Sequence, residues 1–476
     1  ITTMVKEGLT EFGLDNKAAV RCKNMFALGL VCWLFNRPLD EAERMLQNKF
    51  SKKPTIAKAN IKALADGYNY GSNIHASVST YRIESKKAAP GLYMDINGNK
   101  ATSYGLMAAA EKAGLKLFLG SYPITPATDI LQELAARKEL GVKALQFEDE
   151  IAGVCTAIGA AFAGSLAVTS TSGPGLALKS EAIGLAMIAE LPLVIVDVQR
   201  GGPSTGLPTK SEQTDLLQAL YGRNGESPVV VMAASTPADC FDAAFWAGKL
   251  AVEHMTPVIL LTDSFLANGS TAWRIPNLDT YPDIKPNYPA DYKREEAWKP
   301  YRRHPDTLVR YWAVPGMEGF THRIGGLEKD YDTSAISTEP ANHQKMIRTR
   351  QAKIDKIAAY IPALEVIGDE GADADLLIVG WGGTFGHLCE AMEAMRERGM
   401  KVALAHVKFI SPLPENTAGV LTKYKKVVVA EQNNGQFANY LQSKIPGFTP
   451  CKFNRIKGQP FIVARLVEEF TKLVEA

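Results

Sequence analysis

Residues 145–175 read LQFEDEIAGVCTAIGAAFAGSLAVTSTSGPG, and how this stretch folds decides the rest of the chain. It opens inside a short apolar run, residues 142–147, that suits a strand. The acidic trio Glu148, Asp149 and Glu150 follows, then a helical run of small residues broken by Gly153, Gly159 and Gly164. A second apolar run, 166–170, ends in Thr171-Ser172-Gly173-Pro174-Gly175, and another helix follows. This order predicts an α/β sheet, whose ligand sites lie where strand ends meet helix N-termini. The stretch puts carboxylates at one such end and a hydroxyl- and glycine-rich loop at the next. Acids also favour a helix N-terminus with no ligand present. For the trio, a binding site and a plain solvated cap both stand open.

Outward from that core, strands and helices alternate over residues 102–268. Apolar runs at 116–120, 142–147, 166–170, 193–198, 229–232 and 258–263 predict strands with helices between them. Near-continuous apolar strands separated by helices argue for a parallel sheet covered on both faces. Upstream, residues 1–75 read as helical. Residues 16–35 have helical spacing, Pro38 opens a helix over 39–50 with an acid-rich first turn, and a third covers 55–68. Residues 76–101, with Pro90, Gly91, Asn97 and Gly98, have linker composition. Downstream, 269–362 is proline-rich, with the charged cluster Lys293-Arg294-Glu295-Glu296 and with Trp298, Tyr301, Tyr311 and Trp312. It predicts a long connection packed on a surface, ending in a helix over 346–362. Residues 363–476 form a smaller α/β unit with strands at 376–380, 401–407 and 425–431.

At 476 residues the chain is long enough for two or three domains. Its net charge of +2, without a clustered basic stripe, gives no electrostatic case for nucleic acid. The longest apolar run, residues 25–35, is too short to span a bilayer. The chain opens on Ile1, so a natural start is expected upstream, and nothing present resembles a signal peptide. Six scattered cysteines form no C-x-x-C pair. They predict reduced, mostly buried thiols in a cytoplasmic protein, with neither an iron–sulfur cluster nor structural zinc on this chain.

Five loops carry possible chemistry. Tyr122-Pro123-Ile124-Thr125-Pro126 follows the first strand of the main domain, and its two prolines stiffen a turn that could aim the Thr125 hydroxyl at an anion. Thr125 could equally cap a helix. Glu150 needs a donor if it is buried, and a heterocycle nitrogen could supply one. Arg200, in Asp197-Val198-Gln199-Arg200-Gly201-Gly202, lies at a strand's C-terminal end, where its fork matches a carboxylate. The alternative is an ion pair with Asp197 or Glu212. Gly380-Trp381-Gly382-Gly383-Thr384-Phe385-Gly386 mimics a dinucleotide fingerprint, without the acid expected about 20 residues on. Glu431-Gln432-Asn433-Asn434-Gly435-Gln436 could bind a partner loop or cap the helix it precedes.

In this order, YPITP (122–126), FEDEIAG (147–153), TSTSGPG (169–175), DVQRGGPSTGLPT (197–209), RIGGLEK (323–329) and EQNNGQ (431–436) resemble the α subunit of 2-oxoacid:ferredoxin oxidoreductases, most closely the 2-oxoglutarate type. The resemblance implies a pyrimidine-type thiamine-diphosphate domain over 102–268 and a transketolase C-terminal-like domain over 363–476. It also implies that 1–75 is the tail of a fused γ domain. Glu150 would hold the aminopyrimidine, with Tyr122, Pro123, Ile124, Ser172 and Gly173 also on the cofactor. Thr125 and Arg200 would hold the substrate carboxylate. The cation for a distal carboxylate stays open among Lys210, Arg302 and Arg303. Gly368-Asp369-Glu370 breaks the diphosphate and metal motif at its third residue. Mg2+ and the iron–sulfur cluster are therefore expected on a β subunit, with coenzyme A and ferredoxin as reactants and a dimer of αβ heterodimers as the assembly. Pyruvate or a branched 2-oxoacid is the other substrate class. A nucleotide-dependent oxidoreductase and a non-catalytic interaction subunit are the rival readings.

Overall fold

The structure, a computed structural model, describes residues 1–74, 80–83, 88–289, 292, 297–368 and 371–475. The cluster 293–296 and residues 369–370 of the broken metal motif lie outside the described residues. Two compact units divide the chain, Ile1–Pro90 and Gly91–Ala476.

The first unit consists of the helices Thr2–Gly8, Asn16–Arg21, Lys23–Leu34, Asp40–Lys49 and Pro54–Asn73, with no strand among its described residues. The helix expected over 16–35 breaks at Cys22, whose side chain is buried with Val5, Leu9, Phe26, Ala59 and Ala63. Lys23–Leu34 then crosses the long Pro54–Asn73 helix so closely that a Cβ on Gly29 would lie 1.9 Å from the Leu64 carbonyl oxygen.

The second unit holds three sheets, with strands β1 (Tyr93–Asn97), β2 (Leu117–Ser121), β3 (Lys143–Gln146), β4 (Leu166–Thr171), β5 (Leu193–Gln199), β6 (Val230–Ala233), β7 (Pro257–Asp263), β8 (Ser270–Arg274), β9 (Val366–Ile367), β10 (Leu376–Trp381), β11 (Val402–Val407), β12 (Phe409–Ser411), β13 (Val427–Glu431) and β14 (Cys451–Asn454). The main sheet has the order β12-β6-β7-β5-β4-β2-β3, parallel except for β12. Every residue of β4, β5 and β7 is buried, because helices cover both faces. The smaller sheet runs β14-β13-β10-β11-β9, with β9 antiparallel. β12 leaves that unit to pair with β6, and one apolar core continues from Ile195, Val231 and Ile259 to Val379, Val407 and Phe437.

All six main-domain strands expected from the sequence are present, and the differences lie at the margins. β1 and the start of the helix Gly98–Lys112 fall inside the stretch read as a linker, 76–101. The residues that looked like punctuation serve a helix start, with the Asn97 side chain accepting from the Lys100 N–H at 2.9 Å. β1 pairs with β8, which falls in the stretch read as an irregular connection. The helix of that connection runs Pro340–Lys356, with proline in its first turn, rather than 346–362. The connection does pack on a surface: Trp312 is buried and its indole N–H donates to the Ala161 carbonyl at 3.1 Å. The cysteines are all free, yet only Cys22 and Cys240 are buried. Cys155 lies on the outer face of its helix and Cys451 on an edge strand, both exposed.

Candidate active site

Four strand ends line up in the main sheet in the order β3-β2-β4-β5. The chain goes from β2 outward to β3, then returns across β2 to β4, so the strand order reverses there. A crevice opens at such a point on the carboxyl side of the sheet. Glu150 follows β3, Tyr122–Pro126 follows β2, Ser172 and Gly173 follow β4, and Arg200 follows β5. With strands about 4.8 Å apart, the four ends span about 15 Å.

Glu150 is the first residue of the helix Glu150–Phe162, and the capping role falls to Asp149, whose carboxylate accepts from the Ala152 N–H at 2.8 Å. Glu148 is exposed and Glu150 half-buried. The Tyr122 hydroxyl pairs with the Thr171 hydroxyl at 3.0 Å. Burial and the nearby Glu150 carboxylate push that phenol well up. Gly175 leaves no room for a side chain, since a Cβ there would lie 2.1 Å from both hydroxyls and 3.1 Å from Glu150 Cγ.

Lys179 was not anticipated from the sequence. It is fully buried, donates from Nζ to the Glu150 main-chain oxygen at 2.8 Å, and lies 4.8 Å over the Tyr122 ring. Burial pushes its ammonium down to about 8, while the Glu150 and Asp149 carboxylates pull the other way. Its signal in the sequence was a lone cation between Leu178 and Ser180, in an otherwise small and apolar stretch.

Arg200 is buried, and its Nη1 donates to the Thr125 carbonyl at 2.6 Å. The two residues assigned to the substrate carboxylate are therefore in contact, through the Thr125 main chain. Thr125 is an exposed residue, and the capping bond of that turn comes from Thr128, whose Oγ1 accepts from the Ile124 N–H at 2.9 Å. Pro123 is exposed and Ile124 half-buried. No ion pair joins Arg200 to Asp197 or Glu212 among the described residues. Arg200 Nε and Ser172 Oγ are buried without hydrogen-bond partners.

Three other readings change. The glycine loop after β10 cradles protein groups: a Cβ on Gly383 would lie 2.2 Å from the Asp263 carboxylate, and Gln213 Nε2 donates to the Trp381 carbonyl at 2.7 Å. The Glu431–Gln436 loop both caps and docks. Glu431 accepts from the N–H groups of Phe437 and Ala438, and Asn433 Nδ2 donates to the Gln213 carbonyl at 2.7 Å. Arg303 is no site cation, for its guanidinium pairs with Glu190, itself bonded to Lys353 at 2.8 Å. Lys210 closes a turn through its main chain, accepting from Gly201 N–H at 2.9 Å.

Comparisons with known proteins place the chain in a family. Residues 108–340 match the family described as pyruvate flavodoxin/ferredoxin oxidoreductase, thiamine diP-bdg. Residues 374–459 match pyruvate:ferredoxin oxidoreductase core domain II, and 2–70 match pyruvate ferredoxin/flavodoxin oxidoreductase. The chain is 52% identical to 2-oxoglutarate oxidoreductase subunit KorA of Mycobacterium tuberculosis, over 93% of this chain and 67% of that protein. The chain belongs to the 2-oxoacid:ferredoxin oxidoreductase family. It is also 31% identical to subunit alpha of 2-oxoacid:ferredoxin oxidoreductase 1 of Aeropyrum pernix, over 98% of this chain and 73% of that one. A solved 2-oxoglutarate:ferredoxin oxidoreductase from Magnetococcus marinus superposes with a TM-score of 0.86 at 32% identity, covering 99% of this chain and 80% of that one. The Mycobacterium tuberculosis and Aeropyrum pernix relatives are both named as single subunits of their oxidoreductases.

A thiamine-diphosphate-binding domain of this family needs a carboxylate for the aminopyrimidine and a small-residue loop beside it. The crevice fits that need on two observations: a half-buried Glu150 relieved of capping by Asp149, and the unpartnered Ser172 hydroxyl in a loop whose Gly175 allows no side chain. No helix among the described residues is long and apolar enough to cross a membrane.

Proposed function

We propose that the chain is the α subunit, with a γ-type N-terminal segment, of an enzyme that oxidatively decarboxylates 2-oxoglutarate to succinyl-CoA and delivers electrons to ferredoxin. The observation that carries this reading is the placement of Glu150 and Arg200 just after the carboxyl ends of β3 and β5, on one edge of the main sheet. The Magnetococcus marinus structure, with 2-oxoglutarate, coenzyme A and succinyl-CoA bound, supports the choice of substrate. Thiamine diphosphate supplies the electron sink for decarboxylation when bound.

In this reading Glu150 accepts a hydrogen bond from the aminopyrimidine and favours the tautomer that moves a proton. Tyr122, Pro123, Ile124, Ser172 and Gly173 pack along the cofactor. Arg200 offers its fork to the substrate's carboxylate, while its bond to the Thr125 carbonyl fixes the guanidinium, and Thr125 adds a hydroxyl. Position and orientation are what these groups contribute. The β subunit holds Mg2+, the diphosphate and the iron–sulfur cluster, and the working assembly is a cytoplasmic dimer of αβ heterodimers. The test is reduction of a one-electron acceptor by the purified αβ complex with a panel of 2-oxoacids. Coenzyme-A-dependent turnover should be fastest with 2-oxoglutarate. Faster turnover with pyruvate or a branched 2-oxoacid refutes the substrate, and nicotinamide reduction by the chain alone refutes the class.

A further inference from the structure

Two carboxyl groups beneath the crevice take no part in the chemistry above. Asp197 is the fifth residue of β5 and fully buried, and no N–H or O–H donates to either of its oxygens. Across the sheet it faces Thr171 of β4 on one side and Leu261 of β7 on the other. Asp215, just before the helix Leu216–Tyr221, reaches the same place from the loop and also has a buried oxygen without a donor. Its main chain is fixed by an N–H bond to Gln199 Oε1 at 3.2 Å. Its carboxyl lies against Gly173, where a Cβ would come within 2.4 Å. Gly173, against which the Asp215 carboxyl lies, is two residues beyond Thr171, the neighbour of Asp197 across the sheet, so the two carboxyls share one buried place and act on each other there.

Two buried carboxylates in one place, without donors, cannot both stay ionised. A proton between them supplies the missing donor. The charged and titratable groups around them are Arg200 from the loop after β5, Tyr122 from the loop after β2, and Glu212 from the loop before Asp215. Only Arg200 is a cation, and it stays charged throughout. Every negative charge added to the pair therefore competes with a substrate carboxylate for that guanidinium.

We propose that Asp197 and Asp215 are positioning residues that share a proton, and that this proton keeps Arg200 free to bind the substrate carboxylate. The proposal rests on the role of Arg200 argued above. Burial pushes both carboxyls up, and their mutual repulsion pushes Asp197 further, so the proton is held at pH values where an ordinary aspartate has lost it. Raising the pH removes it and weakens substrate binding. The two substrate carboxylates are ionised over the whole range and add no titration of their own.

The experiment is the pH dependence of KM and kcat for 2-oxoglutarate in the holo αβ complex, at saturating coenzyme A, between about pH 6 and about pH 9. KM should rise roughly tenfold with pH, the order expected for one added charge near a buried guanidinium. Titration of Lys179, which touches Glu150, would appear in kcat, so the split between the two constants separates them. In Asp197→Asn and Asp215→Asn, one carboxylate remains beside an amide donor, and KM should become independent of pH in this range. A KM that is flat with pH in the unaltered complex overturns the proposal without any variant. The same pH dependence persisting in both single variants overturns it too. If the asparagine variants do not assemble, the carbonyl stretch of protonated carboxyl in the infrared spectrum of the unaltered complex decides. It should vanish on alkalinisation together with the KM change, and its absence at low pH refutes the shared proton. Arg200→Lys is the control for the underlying reading. If that change leaves KM untouched, Arg200 is not the substrate ligand; if it raises KM while the aspartate variants behave like wild type, only the present inference fails.

Discussion

Methionine in place of Lys179 keeps most of the stem's apolar contacts and removes a buried ammonium. Burial lowers that ammonium from 10.5 to about 8 in the folded chain. The displacement corresponds to about 3 kcal/mol against the charged form. Because the folded value lies below the unfolded one, this penalty is full below about pH 8 and is relieved as pH rises towards 10.5. Opposing it are the bond to the Glu150 main-chain oxygen, a charged-donor bond of roughly 1.5–3 kcal/mol, and the Tyr122 ring face, of about 1 kcal/mol. The Glu150 oxygen would keep its ordinary intrahelical donor four residues on. The terms cancel to within about 1–2 kcal/mol, so Lys179→Met should change the melting temperature of the αβ complex by only a few degrees.

Activity should respond differently. The ammonium holds the first turn of the Glu150 helix through its bond to the Glu150 main-chain oxygen, and without it the Glu150 side chain is less firmly positioned. Turnover should fall roughly tenfold, a modest share of what misplacement of a catalytic group costs. The unaltered enzyme should also lose kcat as pH rises through about 8, where Lys179 gives up its proton, and the variant should lack that alkaline decline. The assay is 2-oxoacid-dependent reduction of a one-electron acceptor across pH, beside thermal melting of the same preparations. A complex that melts many degrees lower with an unchanged kcat profile would refute the reasoning and make Lys179 a packing element.

Three further substitutions discriminate among the site residues. Glu150→Gln should lower turnover by roughly 10²–10⁴-fold with assembly intact, while Glu148→Gln, on an exposed residue, should do little; C2-proton exchange of the bound cofactor reports the difference directly. Arg200→Lys keeps the charge and loses the fork, so KM for the 2-oxoacid should rise by the equivalent of about 1–3 kcal/mol with cofactor affinity unchanged, as measured by titrating each separately. Glu190→Gln strands Arg303 and Lys353 in the interior and should cost about 3–5 kcal/mol in denaturant unfolding. Burial alone would raise the Glu190 carboxyl, but Arg303 and Lys353 outweigh it and hold it well below its ordinary 4.5. That stability is present above about pH 4.5 and is lost as pH falls, a decline the variant should not share.

The six parallel strands were legible because a strand covered on both faces must be an apolar run, and the sequence writes such runs plainly. β9, β12 and β14 were not, because short edge strands need no such composition; β14 reads Cys451-Lys452-Phe453-Asn454 and gains its place by pairing with β13. β1 was hidden for a different reason. Its partner β8 is distant in sequence, and the glycine and asparagine that follow it resemble a linker. The site was legible as a set of loops, since each motif directly follows a strand. Contacts among the loops were not. That Arg200 meets the Thr125 carbonyl, and Lys179 the Glu150 carbonyl, depends on strand order, and strand order is absent from the spacing of motifs along the chain.

Strand order also separates the buried charges into two populations. Glu190 is bonded to Arg303 and Lys353, Glu328 receives both terminal nitrogens of Arg350, and Glu431 caps a helix through two N–H groups. Asp263 likewise accepts from Ser211, Phe265 and Leu266. In these cases the protein answers its own charge, as burial requires. Among the described residues, the charged side chains with buried atoms lacking any partner are Asp197, Asp215, Arg200 and Arg350, and of these Arg350 already forks onto Glu328. The other three gather at the end of β5 and in the loop that covers it, beside the unpartnered Ser172 hydroxyl at the end of β4. A purely structural role would not gather three charged groups with buried, unpartnered atoms in one place, because hydrophobic replacements there would be more stable. Their grouping beside Glu150 is what the proposed reading explains, with a proton, a substrate carboxylate and a cofactor as the remaining partners.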